Sequence, residues 1–210
     1  MTLILVVAVV LLFVGLDLLR RRGPVRGRDR EPSTVQPIRG PGLPADLFVA
    51  PEHLWVRLMA DGTLRVGLDD LVAELLGRVD HAECTTSTLV QRGEPLVHLR
   101  QGERQLTLVA PAAGEVVQVN PLLQENPQVV VDDPYGVGWI ASLRPRDHKQ
   151  AIAPLHLGNG AVGFLRRELE QVLDFLSPSP LLADGGLPRR GALADLDPTA
   201  WSAFEERFLR

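Results

Sequence analysis

Covalent chemistry needs a nucleophile, and this chain has few. It carries one cysteine, Cys84, and one lysine, Lys149, against 21 arginines. A guanidinium stays protonated and delocalised, so arginine replaces lysine as a cation but not as an acylatable amine. The five histidines, His53, His81, His98, His148 and His156, show no i,i+4 or closely paired ligand spacing. One cysteine excludes an intrachain disulfide and a Cys-rich metal site. Cys84 beside His81 suggests a nucleophile and its base, but a lone cysteine on an apparent strand is ordinarily buried and inert. Asp132-Asp133 before Pro134 reads as turn chemistry rather than a cation site. No Walker-type loop, dinucleotide glycine fingerprint or hydrolase elbow occurs. With no constellation of acid, base and nucleophile, the chain is read as non-enzymatic, with no metal and no cofactor.

The 210 residues are 45% hydrophobic and 23% charged, which excludes wholesale disorder, and a net charge of −4 argues against nucleic acid as partner. The charge is uneven. Residues 20–30 hold six arginines and one acid, Asp29, while the body beyond is acidic. Ahead of that collar, Leu3 to Val14 are all apolar, and the run reaches Leu19 with Asp17 as its one interruption. Eighteen helical residues span roughly 27 Å, close to the hydrocarbon core of about 30 Å. Asp17 lies three and four residues before Arg20 and Arg21, which can partner it on one helix face. A cleaved signal peptide carries its basic residues before the apolar run, whereas here they follow it. Residues 2–19 are therefore expected to be a single-pass transmembrane anchor (domain range 1–20) in an inner or plasma membrane. The positive-inside rule puts the C-terminal body in the cytoplasm. Residues 21–46, basic and then rich in Pro and Gly, read as a linker.

From Phe48 the pattern turns to strands. Leu54, Val56 and Leu58 alternate; Asp61-Gly62 signals a hairpin; Leu64, Val66 and Leu68 alternate again. Asp69 or Asp70 is expected to cap a short helix ended by Gly77. Further strands are expected at 78–82, 95–100, 105–110 and 115–119, with positive φ expected at Gly114. Many short strands with regular turns imply a mainly β sandwich or partly closed barrel.

Residues 48–145 resemble the H protein of the glycine cleavage system, a relative of lipoyl and biotinyl domains. The residues that carry the resemblance are Pro51-Glu52-His53-Leu54-Trp55-Val56, Asp61 to Leu68, Ala73 to Gly77, Ala110 to Asn120 and Asp133-Pro134-Tyr135-Gly136-Val137-Gly138-Trp139-Ile140. It implies a lipoyl/biotinyl-like β sandwich, a barrel-sandwich hybrid, over residues 47–147. It also implies a swinging-arm carrier, in which lipoate is amide-linked to a lysine at a hairpin tip. Counting eight residues back from Pro111, that position falls on Glu103, and no lysine occurs between residues 1 and 148. Carrier activity is therefore not transferred. A coding bias toward arginine does not account for a glutamate there. Arg100, Gln101, Glu103 and Arg104 then form either a polar contact surface for a protein partner or an ordinary solvated turn. Trp55, Tyr135 and Trp139 are expected to pack in the core or at its rim.

The region 148–210 is expected to be helical. Residues 160–177 carry an apolar face of Val162, Leu165, Leu169, Val172, Leu173 and Leu176, and Ser177-Pro178-Ser179-Pro180 ends it. Asp197-Pro198 reads as an N-cap with proline at N1, followed by Trp201, Phe204 and Phe208 at helical spacing. Docking of both helices onto the β domain is the expectation; the alternative is that the three aromatics anchor a protein partner. The resulting functional reading is a membrane-anchored interaction or scaffold protein for a metabolic complex. Its alternative is a lipoyl-carrying H protein.

Overall fold

The computed structural model describes residues 43–177 and 188–209. The expected anchor, residues 2–19, and the arginine collar lie outside the described residues. Among the described residues no helix is long and apolar enough to cross a membrane.

The fold is mainly β with several helices. A seven-stranded antiparallel sheet runs β10 (His156–Leu157), β1 (Phe48–Val49), β2 (Leu54–Leu58), β3 (Leu64–Leu68), β9 (Trp139–Pro145), β8 (Gly114–Val119), β5 (Leu89–Val90). A three-stranded sheet runs β4 (His81–Cys84), β6 (Pro95–Gln101), β7 (Arg104–Val109). Val66, Leu68, Ile140 and Leu143 from the first sheet and Leu96, Leu99, Leu106 and Leu108 from the second share one buried cluster. The period-two pattern read in β3 delivers Val66 and Leu68 to it, whereas in β2 Leu54, Trp55 and Val56 are all buried and Leu58, expected on the same face, is exposed.

Local chemistry sets the elements. Asp69, in extended backbone, caps α1 (Asp70–Leu76) by accepting from the Val72 N–H, and Gly77 closes it at φ +68°. That closure uses Arg78, whose N–H donates to the Leu76 carbonyl, so the expected strand at 78–82 begins only at His81. Trp55 is fully buried against its cross-strand partner Gly67, where a Cβ would come within 2.5 Å of the indole. Its indole N–H donates to the Pro134 carbonyl at 2.8 Å. Gly114 does not adopt positive φ; a side chain there would strike the Arg144 carbonyl of β9 at 2.5 Å, so close strand approach is what requires glycine. Two short helices follow β8: α2 (Leu122–Glu125) and α3 (Val129–Asp132). Trp139 is half-buried, with the Arg65 guanidinium 4.7 Å from its ring centre.

Beyond β9 the chain is largely helical: α4 (His148–Ile152), α5 (Asn159–Leu176) and α6 (Pro198–Phe208), with a 3-10 turn at Ala192–Asp195. Asp197 caps α6 through the Ala200 N–H. Both long helices dock on the body. Phe175 of α5 lies 6.2 Å from Phe204 and 5.9 Å from Phe208 between ring centres. Trp201, Phe204 and Phe208 are all at most 5% exposed. These three rings are already covered by the chain itself, so they serve as core residues rather than as presented partner anchors.

Candidate functional site

The β6–β7 hairpin is the feature on which a group could be presented. Gln101 pairs with Arg104, leaving Gly102-Glu103 as a two-residue tip. Gly102 sits at φ +59°, which glycine adopts freely. Its N–H donates to Asp80 Oδ2 at 2.8 Å, and the same carboxylate pairs with Arg78 at 3.0 Å. Glu103 is exposed, and so is Arg100.

The other two expected tip contacts are turned inward. Gln101 is 8% exposed, and its Nε2 donates to the Leu76 carbonyl at 2.8 Å. Arg104 Nη1 donates to the carbonyls of Leu193 at 2.8 Å and Ala194 at 2.7 Å, and Nη2 donates to that of Leu196. Its guanidinium also lies 5.3 Å from the centre of the Trp201 ring. Of the four tip residues, only Arg100 and Glu103 thus face solvent, because the flanking pair satisfies backbone carbonyls elsewhere in the chain.

Lys149 lies far from this tip. It is exposed on α4. The Arg146 N–H, just before α4, donates to the Ala113 carbonyl, at the opposite end of β7 from the tip. Eight residues of extended chain separate 103 from 111, roughly 26 Å at about 3.3 Å each.

Beside the hairpin, on the face of β6 and β7, lies a cleft of about 680 Å³ lined in part by Glu52, Arg92, His98 and Thr107. Glu52 Oε1 accepts from Arg92 Nη2 at 2.8 Å and Nε at 3.2 Å, while Oε2 is buried and without a partner among the described residues. His98 Nδ1 lies 3.0 Å from Thr107 Oγ1 and 3.2 Å from Gln105 Nε2. Pro95 and Val109 also line it, so the cleft offers apolar surface with a few polar groups and can hold a guest by contact. It supplies no primary amine.

A second polar cluster is structural. His53 is buried at φ +59°, a region that non-glycine residues seldom occupy. Its Nδ1 is 2.7 Å from Asp69 Oδ2, and its Nε2 is 3.7 Å from Glu168 Oε2 on α5. Burial alone would lower the imidazole, but the adjacent Asp69 and then Glu168 carboxylates outweigh it and raise it to about 9. His53 holds Glu168 below the usual carboxylate range. The Tyr135 hydroxyl donates to Asp70 Oδ1 at 2.8 Å, and burial followed by the Asp70 and Asp69 charges pushes it upward.

The remaining candidates also have structural partners. Cys84 is half-buried, and burial pushes its thiol up to about 11. Asp132 accepts from Gln128 and Arg190, and Asp133 accepts from the Val137 N–H. No group of three or more metal-capable side chains occurs among the described residues.

The Glu52–Arg92 pairing and the Arg104 contacts are absent from the sequence reading. Glu52 sits within the Pro51–Val56 motif, which marked its strand but not its cleft. Arg104 is 89 to 92 residues from its carbonyl partners, beyond any local pattern.

Comparison with known proteins agrees with this architecture. The family description "Glycine cleavage H-protein" matches residues 47–167. Glycine cleavage system H protein 2 of Aquifex aeolicus is 32% identical over 139 residues, covering 65% of this chain and 86% of that protein. The H protein of Thermus thermophilus is 37% identical over 106 residues, covering 50% and 82%. The crystal structure of a glycine cleavage system H protein from Mycobacterium marinum superposes with a TM-score of 0.51 at 28% identity, covering 58% of this chain and 97% of that one.

Proposed function

This chain belongs to the glycine cleavage H-protein family, and from that membership we propose that it is a member without an acyl-acceptor lysine, acting by contact rather than by carrying lipoate. The family's role is that of a carrier, not a catalyst, and nothing in this reading requires catalysis. One observation carries the proposal. The two-residue tip of the β6–β7 hairpin presents Glu103, and the only lysine of the chain lies on α4, beyond the other end of β7. A carboxylate cannot form the amide that holds the arm.

The module then offers its tip residues Arg100 and Glu103, and the Glu52-lined cleft, as contact surfaces for a protein of a metabolic complex. The apolar run 2–19 and the arginine collar support tethering of this module to a membrane, with the body on the cytoplasmic side. A lipoyl-carrying H protein is the competing reading, and the match across residues 47–167 speaks for it.

Intact-mass analysis of the chain purified from its source separates the two. The unmodified mass is expected. A lipoyl adduct, lost on Lys149→Arg, overturns the proposal. Release of the chain from membranes by a carbonate wash would remove the tether from it.

A further inference from the structure

Residues 188–209 lie outside the stretch that matches the family, yet they close on the hairpin's outer strand. In the order β4-β6-β7, β7 is an edge. Alternation along an antiparallel pair sends the backbone groups of Gln105 and Thr107 away from β6. Such groups are a template for an added strand. Here side chains of α6 take one group from each residue. The Trp201 indole N–H donates to the Gln105 carbonyl at 3.1 Å, and the Thr107 N–H donates to Glu205 Oε1 at 3.1 Å. One residue from the tip, the Arg104 guanidinium is occupied by the carbonyls of Leu193, Ala194 and Leu196. Phe204 and Phe208, buried beneath, hold α6 in register with the strand.

We infer that the C-terminal segment is an autoinhibitory clasp on β7: it occupies the strand edge and the flank of the tip that a protein must grip to read this hairpin as extended chain. The partner class it excludes is an enzyme or subunit that adds main chain along β7, an acylating enzyme of the hairpin among them. The inference rests on the reading above only in taking residue 103 as the family's modification position. The clasp itself stands on the contacts of α6.

The test uses the full chain. Glu205→Ala removes the acceptor of the Thr107 amide. Trp201→Phe removes the indole donor and keeps a ring in the core. Amide hydrogen exchange is read first. Thr107 is expected to be protected in the native chain and to exchange about tenfold faster in Glu205→Ala, the worth of one hydrogen bond. Leu106 and Leu108, bonded to β6, should be unchanged. Fast exchange of Thr107 in the native chain, or no change on substitution, overturns the clasp.

Glu103→Lys is then incubated with lipoate, ATP and a lipoate–protein ligase. In that reaction the lysine amine displaces AMP from the lipoyl-adenylate, forms the amide and gives its proton to solvent. The triple variant with Glu205→Ala and Trp201→Phe is expected to acylate at least about tenfold faster than Glu103→Lys alone. Equal rates, or no acylation of either, overturn the clasp as the barrier. A lipoyl adduct on the native chain from its source instead sinks the non-carrier reading and leaves the exchange result standing.

Discussion

Truncating Phe204 to alanine measures whether the C-terminal helix belongs to the body. Phe204 is fully buried, with ring centres 6.2 Å from Phe175 of α5 and 5.0 Å from Phe208. Phe204→Ala therefore removes a whole ring from a packed cluster and leaves a cavity between two helices. Such truncations cost about 3–5 kcal/mol. For a domain of this size each kcal/mol shifts the midpoint by about 2–4 °C, so Tm should fall by roughly 6–20 °C. Thermal unfolding of the full chain, followed by circular dichroism and calorimetry, is the assay. Glu206→Ala, on the exposed face of the same helix, is the control and should stay within about 0.5 kcal/mol of the parent. A Phe204→Ala chain that melts at the parental temperature would refute the reasoning. So would a separate early transition of α6 that leaves the β body untouched, because α6 would then be an appendage rather than part of the core.

Three further outcomes follow from the same contacts. The raised His53 group stabilises the fold fully below its ordinary value of 6.5, and that contribution is lost as pH climbs through about 9. Denaturant titrations at pH 6, 8 and 9.5 should show the decline, and Asp69→Asn, which keeps an N-cap acceptor for Val72, should flatten it. Gly67→Ala places a Cβ within 2.5 Å of the Trp55 indole and should cost about 1–3 kcal/mol, with a shift in tryptophan fluorescence. Arg104→Ala removes the guanidinium donor to the Leu193, Ala194 and Leu196 carbonyls and should destabilise the chain by about 1–3 kcal/mol in a urea melt, whereas Arg100→Ala on the exposed side should change it little.

The parts of the fold that were legible in the sequence are those written within a few residues. The Asp61-Gly62 hairpin joins two strands of clean alternation, and the structure pairs Leu54–Leu58 with Leu64–Leu68. Asp69 and Gly77 bracket α1, and Asp197-Pro198 opens α6. The tip at Gly102-Glu103 is equally local. β9 was the element hardest to see. It joins β3 to β8 within the larger sheet, but the Asp133–Gly138 turn directly ahead of it dominates the pattern. The fate of Arg104 was invisible for a different reason. An arginine beside an exposed turn looks solvated until a segment about ninety residues on supplies carbonyls for it. The buried His53–Asp69–Glu168 cluster is of the same kind: it joins a positive-φ residue just ahead of β2, a helix cap and a distant helix face that share no period.

The proposed loss of the carrier lysine at residue 103 and the closure of α6 on β7 bear on one another physically. A hairpin that swings a prosthetic arm between partners needs a tip whose flanks are free. On the proposed reading the tip carries no arm, so nothing opposes burying those flanks, and burial satisfies edge groups that would otherwise invite strand addition. Arginine abundance explains a cation at many positions where lysine would serve. It does not explain a carboxylate at the tip, nor the use of the neighbouring arginine to tie three carbonyls of the C-terminal segment. If the tip had merely drifted, its flanks would be as solvated as Arg100 still is. Instead Gln101 and Arg104, on either side of Gly102-Glu103, are both bound inward, which fixes the tip from both strands at once. A rigid, anionic tip suits recognition by a fixed partner surface, because little conformational freedom remains to be lost on docking.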